Sequence, residues 1–231
     1  MSYFSEVTLR PDSSYGDRLQ ALPFDAYGDH QFIWKLFPQQ QDEKAARNFL
    51  FRRWEETNQP CCWYLVSAEQ PKAFGNAVQV RSRAYEPSLK TGDRLHFSLK
   101  AAPLVSRIDP ERPKQRGRKN DIFMDAKWQY RKQHEGRNPV GSEWIELQNT
   151  VGHQWLEKQG VRLGFRPLQV LVEGRQHHEL QSNGRNINFD SAQFKGVLEV
   201  TDPSTFVGEA LRKGVGSRKG FGCGLLLIRR I

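Results

Sequence analysis

The chain has 231 residues, a mass of 26.8 kDa and a formal net charge of +9, from 35 basic and 26 acidic residues. With 37% hydrophobic and 11% aromatic residues it can build one large domain or two small ones, which excludes a collagen-like or disordered chain. No apolar run approaches the length of a bilayer span and Met1 to Arg10 holds no long apolar stretch of the secretory kind, so a soluble cytoplasmic protein with no membrane partner is expected.

Residues 2–10 alternate loosely through Tyr3, Phe4, Val7 and Leu9 and predict a first strand. A polar stretch runs from Pro11 to Pro23. In 25–37, Tyr27, His30, Ile33, Trp34 and Phe37 recur at spacings of three and four, which predicts a short helix stopped by Pro38. Asp42 is placed to cap a second helix, with Ala45, Ala46, Phe49, Leu50 and Trp54 on its buried face. Strand-like runs follow at 61–67, 76–83 and 94–101. A strand, then helices, then strands suits a ferredoxin-like or RRM-like half over residues 1–102.

Residues 103–139 are polar and charged and read as a basic linker or mobile loop. In the second half, 140–231, Ser142 caps a helix that ends at Lys158 and Gly160, with Trp144, Leu147, Val151 and Trp155 inside. Strands are predicted at 161–165, 168–173 and 194–200, with a polar stretch at 174–190. Asp202 and Pro203 open a last helix with Phe206, Val207, Ala210 and Leu211 inside, before a glycine-rich loop and the strand 225–228. Cys61, Cys62 and Cys223 have neither disulfide nor zinc spacing and read as packing residues.

The basic charge is concentrated. Residues 212–231 hold Arg212, Lys213, Arg218, Lys219, Arg229 and Arg230 without an acid, and residues 104–138 hold ten Lys or Arg against five Asp or Glu. Such clusters rank nucleic acid above a membrane surface or an acidic substrate as partner, although a solvated charge run explains 104–138 equally well.

The closing loop has glycines at 214, 216, 220, 222 and 224, interleaved with Ser217, Arg218 and Lys219. Glycine lets backbone amides approach an anion and the two cations add charge, so the loop reads as a binder of the phosphate backbone, with a flexible turn as the plainer alternative. The spacings of the common nucleotide loops are absent, and this loop runs from helix to strand rather than strand to helix.

His30 and Tyr27 would share one helix face, close enough to act on one substrate. Histidine moves protons near neutral pH, but a lone histidine is more commonly structural or merely exposed, and the spacing alone leaves both readings open. His177 and His178, beside Arg175, read as solvated more readily than as RNA contacts. No metal or cofactor motif is present. Phosphodiester cleavage without metal requires an acid, a base and an internal nucleophile, and RNA supplies the nucleophile in its 2′-hydroxyl.

Three segments carry a family resemblance. "YGDHQFIWKLFP" (27–38), "DEKAARNFLFRRWE" (42–55) and "LRKGVGSRKGFGCGLLLI" (211–228) resemble, in order, the early Tyr-x-x-His segment, the following R-x-F-L-F element and the closing glycine-rich loop of the CasE family; "FKGVLEVTDP" (194–203) resembles the strand before its last helix. That family is the CRISPR precursor-RNA endoribonuclease of type I-E Cascade complexes. The resemblance implies an α+β chain with two ferredoxin-like domains in tandem. It implies metal-independent, cofactor-free cleavage of a CRISPR repeat RNA hairpin to a 2′,3′-cyclic phosphate. It also implies that the mature guide RNA stays bound among the other Cascade subunits. By position His30 takes the family's catalytic histidine and Tyr27 its neighbouring tyrosine. The RNA-binding candidates are Gly214, Gly216, Ser217, Arg218, Lys219, Gly220 and Gly222, with Arg175 and Arg185 as candidate phosphate cations. A non-catalytic RNA-binding subunit of a ribonucleoprotein is the alternative.

Overall fold

A computed structural model describes residues 1–23, 25–38, 47–54, 62–107, 117–182 and 185–231. The first unit is a four-stranded antiparallel sheet of β1 (Tyr3–Leu9), β2 (Phe49–Trp54), β3 (Cys62–Ser67) and β4 (Val78–Ala84), in the order β2-β3-β1-β4. Helices α1 (Tyr15–Ala21) and α2 (Ala26–Trp34) connect β1 to β2. Phe32, Ile33, Leu36 and Phe37 seat α2 and its exit on Val7, Phe51, Trp63 and Leu65 of the sheet. This face buries a dozen or so large apolar side chains, each worth roughly 1.5–3 kcal/mol when fully buried.

The second unit repeats the plan. Its strands β5 (Arg94–Ala101), β8 (Phe165–Ser182), β9 (Arg185–Val200) and β10 (Leu226–Arg230) lie antiparallel in the order β10-β5-β9-β8. Between β5 and β8 come the hairpin β6 (Leu104–Arg107) and β7 (Arg118–Asp121), then α3 (Ile122–Gln133) and α4 (Gly141–Leu163). Between β9 and β10 lies α5 (Pro203–Thr205), which continues as a π-helical turn over Phe206–Leu211. Numbered within each unit, both sheets run fourth, first, third, second, the ferredoxin-like order, so the chain is α+β with two such domains in tandem. In the first unit the connection from β3 to β4 is not helical.

Several sequence expectations change. Residues 49–54 form β2, not the end of a helix capped at Asp42; residues 39–46, including that cap, lie outside the described residues. Phe49, Leu50 and Phe51 are all buried because both faces of β2 are covered. Phe49 and Phe51 enter the first core, whereas Leu50 meets Val66 and Leu225 where the two sheets face one another. An apolar run without alternation is the mark of a strand buried on both sides, and periodicity cannot separate it from a helix.

Strand β5, grouped by sequence with the first half, pairs with β9 and β10 of the second. The segment 103–139 is not a linker throughout, since it contains β6, β7 and α3, with Ile122, Phe123 and Ala126 buried; residues 108–116 lie outside the described residues. Helix α4 runs past Gly160 to Leu163, so no strand begins at Val161. Gly164, with φ +75°, ends the helix, whereas Gly160 is needed because a Cβ there would stand 2.2 Å from the Phe165 carbonyl oxygen. Of the polar stretch 174–190, residues 174–182 and 185–190 form the far arms of the β8–β9 hairpin. Cys62 and Cys223 are buried.

Candidate active site

Helix α2 begins where the Asp25 carboxylate accepts the Gly28 amide at 2.6 Å. Three residues apart on this helix, Tyr27 and His30 stack side by side, with ring centroids 6.5 Å apart and planes 24° from parallel. Trp34 at 5.7 Å and Phe49 at 6.5 Å wall the imidazole on its other sides. Asp29 is turned away and buried, accepting from the Trp63 indole at 2.8 Å and pairing with Arg53 at 3.5 Å.

The glycine-rich loop closes over this helix. Its 3-10 turn, Lys219–Phe221, packs against α2 and the start of β2. A Cβ built on Gly220 would lie 3.9 Å from His30 Nδ1 and 3.0 Å from Arg47 Nη1, so the imidazole and the guanidinium close on one point of the turn. The β8–β9 hairpin covers the side of Tyr27: Leu180, Ile187 and Phe189 pack with Ala26, Tyr27 and Phe221.

The loop residues divide by role. Gly214 and Gly222 are buried, and Gly214 and Gly216 both have φ of +81°. A Cβ on Gly214 would stand 2.8 Å from the Gly224 carbonyl oxygen, and one on Gly216 would stand 3.1 Å from the Trp155 ring. These two glycines let the loop pack on itself and on α4. The Ser217 hydroxyl donates to the Ala102 carbonyl at 2.9 Å, and the Lys219 ammonium donates to the Lys213 carbonyl at 2.6 Å. Arg218 is exposed, with its guanidinium 5.4 Å from the centre of the Phe189 ring. Of the predicted loop residues, Gly220 is the one set against His30.

Arg175 has other company. It pairs with Asp121 at 3.3 Å and Asp190 at 3.8 Å and lies over Phe123, tying β8 and β9 to the start of α3. Arg185 begins β9 opposite Ser182, and its side chain lies outside the described residues. His178 is buried, stacked on Phe189 and bonded to Ser191 Oγ at 2.8 Å, a structural histidine; His177 is half-exposed and bonds Asp190 at 2.7 Å.

Sequence reasoning missed Arg47, which stands two residues before β2 and lies within the "RNFLF" segment already singled out. Together with Asn48, Ser67, Arg212 and Lys213 it lines a cavity of about 390 Å³. A larger cavity of about 440 Å³, between β6, α3 and α4, contains none of the candidate residues.

Burial pushes the His30 imidazole below its ordinary pKa, and the Arg47 charge pushes it further; the Gly220 backbone opposes both. Although close to that backbone, Nδ1 is buried without a well-formed hydrogen bond among the described residues. Lys219 is likewise lowered, first by burial and then by Arg47 and Arg162. The recess therefore combines a largely neutral imidazole at pH 7 with crowded positive charge. That pairing suits proton abstraction beside an anion. Among the described residues no cluster of three or more His, Cys, Asp or Glu is arranged to hold a metal.

The family model for "CRISPR associated protein" matches residues 2–230. The Cascade subunit CasE of Escherichia coli K12 is 28% identical over 204 residues, covering 87% of this chain and 90% of that protein. Among solved structures, Thermus thermophilus Cse3 bound to an RNA representing a pre-cleavage complex superposes with a TM-score of 0.67 at 23% identity, covering 99% of this chain and 98% of that one. The CRISPR endoribonuclease Cse3 bound to a 19-nucleotide RNA matches with the same TM-score and identity, over 98% and 99% of the two chains. At these identities the structural matches speak to the fold, and it is the two-domain fold derived above. With the family match running nearly end to end, this chain belongs to the CRISPR-associated protein family and, within it, to the CasE group.

Proposed function

We propose that this chain is an endoribonuclease that cuts CRISPR repeat RNA at a stem-loop and keeps the mature guide RNA as a subunit of Cascade. The observation that carries the reading is the convergence of His30, Tyr27 and the Gly220 turn in one cationic recess. Its relatives support it: CasE is a Cascade subunit, and Cse3, named an endoribonuclease, is bound to RNA.

The 2′-oxygen attacks the adjacent phosphorus and forms the 2′-O–P bond. The P–O5′ bond breaks, leaving a 2′,3′-cyclic phosphate and a 5′-hydroxyl. His30, neutral at pH 7, accepts the 2′ proton; the O5′ leaving group gains a proton from Tyr27 or from solvent. Stacked at 6.5 Å, Tyr27 and His30 can flank one phosphodiester. Exposed Arg218 and the basic stretch at 212–231 hold the hairpin backbone. Such contacts position RNA without reading its bases, and an A-form major groove is too narrow for most side chains, so sequence is read at the hairpin's edges and flanks.

The test is incubation with repeat hairpin RNA in excess EDTA. A single cut is expected, with a cyclic phosphate on the upstream product, and one 2′-deoxy sugar at the cut site should abolish it. A tight complex that leaves the RNA whole would favour the non-catalytic RNA-binding alternative. Cleavage that the 2′-deoxy sugar leaves untouched would remove the 2′-hydroxyl mechanism.

A further inference from the structure

We propose that Arg47 is a further catalytic residue of this site: its guanidinium binds a non-bridging oxygen of the scissile phosphate and stabilises the charge that grows there as the 2′-oxygen attacks. The inference rests on the endoribonuclease reading and supplies the charge-stabilising group that reading lacks.

Three observations carry it. Arg47 Nη1 and His30 Nδ1 close on the same point of the Gly220 turn, so a phosphate held at that turn lies beside both side chains. Second, among the described residues the guanidinium has no neutralising partner. Its Nε is buried without a hydrogen bond, and no carboxylate lies within ion-pair distance of it among the described residues. A covered cation without an anion is costly, and a phosphodiester supplies both the charge and the acceptors. Third, three neighbouring cations are engaged elsewhere: Arg53 with Asp29 and the Pro23 carbonyl, Lys219 with the Lys213 carbonyl, and Lys213 with Glu209.

Position makes this arginine dependable. It stands two residues before β2, whose pairing with β3 runs unbroken from Phe49 opposite Ser67 to Trp54 opposite Cys62. The backbone that carries this fork of donors is therefore fixed before substrate arrives, which favours electrostatic stabilisation of a transition state. Arg47 exchanges no proton in the reaction; its N–H groups donate to the phosphate oxygen throughout.

The groups facing His30 are Tyr27 and Trp34 from its own helix, Arg47 and Phe49 from the β2 side, and Gly220 from the turn; Lys219, in the same turn, lies within reach of the Arg47 charge. Arg47 is the cation whose charge bears on the imidazole. Its removal should therefore let His30 hold a proton to higher pH, an effect that packing alone does not produce.

The experiment compares the parent protein with Arg47→Ala, Arg47→Gln and Arg47→Lys, in single-turnover cleavage of repeat hairpin RNA at saturating protein. Arg47→Ala and Arg47→Gln should lose about 10²–10³-fold in rate, the range for deleting one preorganised donor, while hairpin affinity changes far less. Arg47→Lys should recover part of the rate by restoring the charge without the fork. A phosphorothioate at the cut site should slow the parent in one stereoisomer and lose that effect in Arg47→Ala. The His30 imidazole, followed by NMR without RNA, should titrate at higher pH in Arg47→Ala. Parent-like cleavage by Arg47→Ala would overturn the proposal. So would equal losses of rate and affinity that lysine does not repair, together with an unmoved His30 titration, because that pattern is structural. A variant that melts early is set aside for Arg47→Lys and the parent's stereoisomer preference, whose absence also overturns it. If the parent cuts no RNA, the enzyme reading fails, and the phosphate role of Arg47 fails with it; an Arg47 defect missing from an active parent removes Arg47 alone.

Discussion

Two glycines of the closing loop should respond to substitution in opposite ways. Gly214 has φ +81°, and a Cβ there would stand 2.8 Å from the Gly224 carbonyl oxygen, which accepts the Val215 amide at 2.9 Å. Alanine in the left-handed region costs roughly 1–2 kcal/mol, and shifting that backbone hydrogen bond adds about 1 kcal/mol. The sum is about 2–3 kcal/mol. At about 2–4 °C per kcal/mol for a chain of this size, Gly214→Ala should lower the melting temperature by roughly 5–10 °C. Gly220 has no positive φ, and its nearest neighbour is the movable tip of Arg47 at 3.0 Å. Gly220→Leu should therefore melt within about 1–3 °C of the parent, as most surface changes do. Its side chain nevertheless enters the space between Arg47 and His30, where a misplacement of about 1 Å can cost on the order of 10²-fold in rate. The assay pairs thermal melting, by circular dichroism, with single-turnover cleavage of hairpin RNA below both melting temperatures. Gly214→Ala should cut RNA well while melting early, and Gly220→Leu the reverse. If Gly220→Leu cleaves as fast as the parent, or both variants lose stability alike, the loop is not the wall of the site.

His30→Ala should slow the single-turnover step by about 10²–10⁴-fold and weaken hairpin binding by roughly 1 kcal/mol or less; equal, modest losses in both would make it a binding residue. The rate of the parent should fall in acid with a midpoint below 6.5, because burial and the Arg47 charge lower the His30 pKa and only the neutral ring accepts the 2′ proton; a midpoint above 6.5 in free protein contradicts this. The same shift makes the unfolded chain the better proton binder, so His30 contributes a loss of folding stability as pH falls through 6.5, which His30→Gln should remove. Replacing Arg218 and Lys219 together with alanine should reduce the log–log salt slope of hairpin binding by about 1.4 to 1.8, at 0.7 to 0.9 per phosphate contact. An unchanged slope with an intact fold takes those two side chains out of the RNA interface.

Local pattern alone determined a good part of this protein. Helix α2 is legible because one of its faces is buried and Pro38 stops its pattern, and the same spacing puts Tyr27 and His30 side by side before any tertiary contact exists. Asp202 and Pro203 mark the start of the last helical segment for equally local reasons, a capping carboxylate and a preset φ. Other features depended on the assembled fold. Strand β2 shows no alternation because a second domain covers its far face, so Phe49, Leu50 and Phe51 are buried together. Strand β5 joins the second sheet because β9 and β10 arrive much later in the chain to pair with it. The loop glycines look alike in composition. Only their neighbours separate Gly214 and Gly216, which serve packing, from Gly220, which faces the recess. Arg47 and Gly220 belong to different domains, and no window of sequence holds both. Spacing along the chain reports which residues share a face of one element, whereas the recess that sets His30 and Arg47 of the first domain against Gly220 of the second forms only when the two come together.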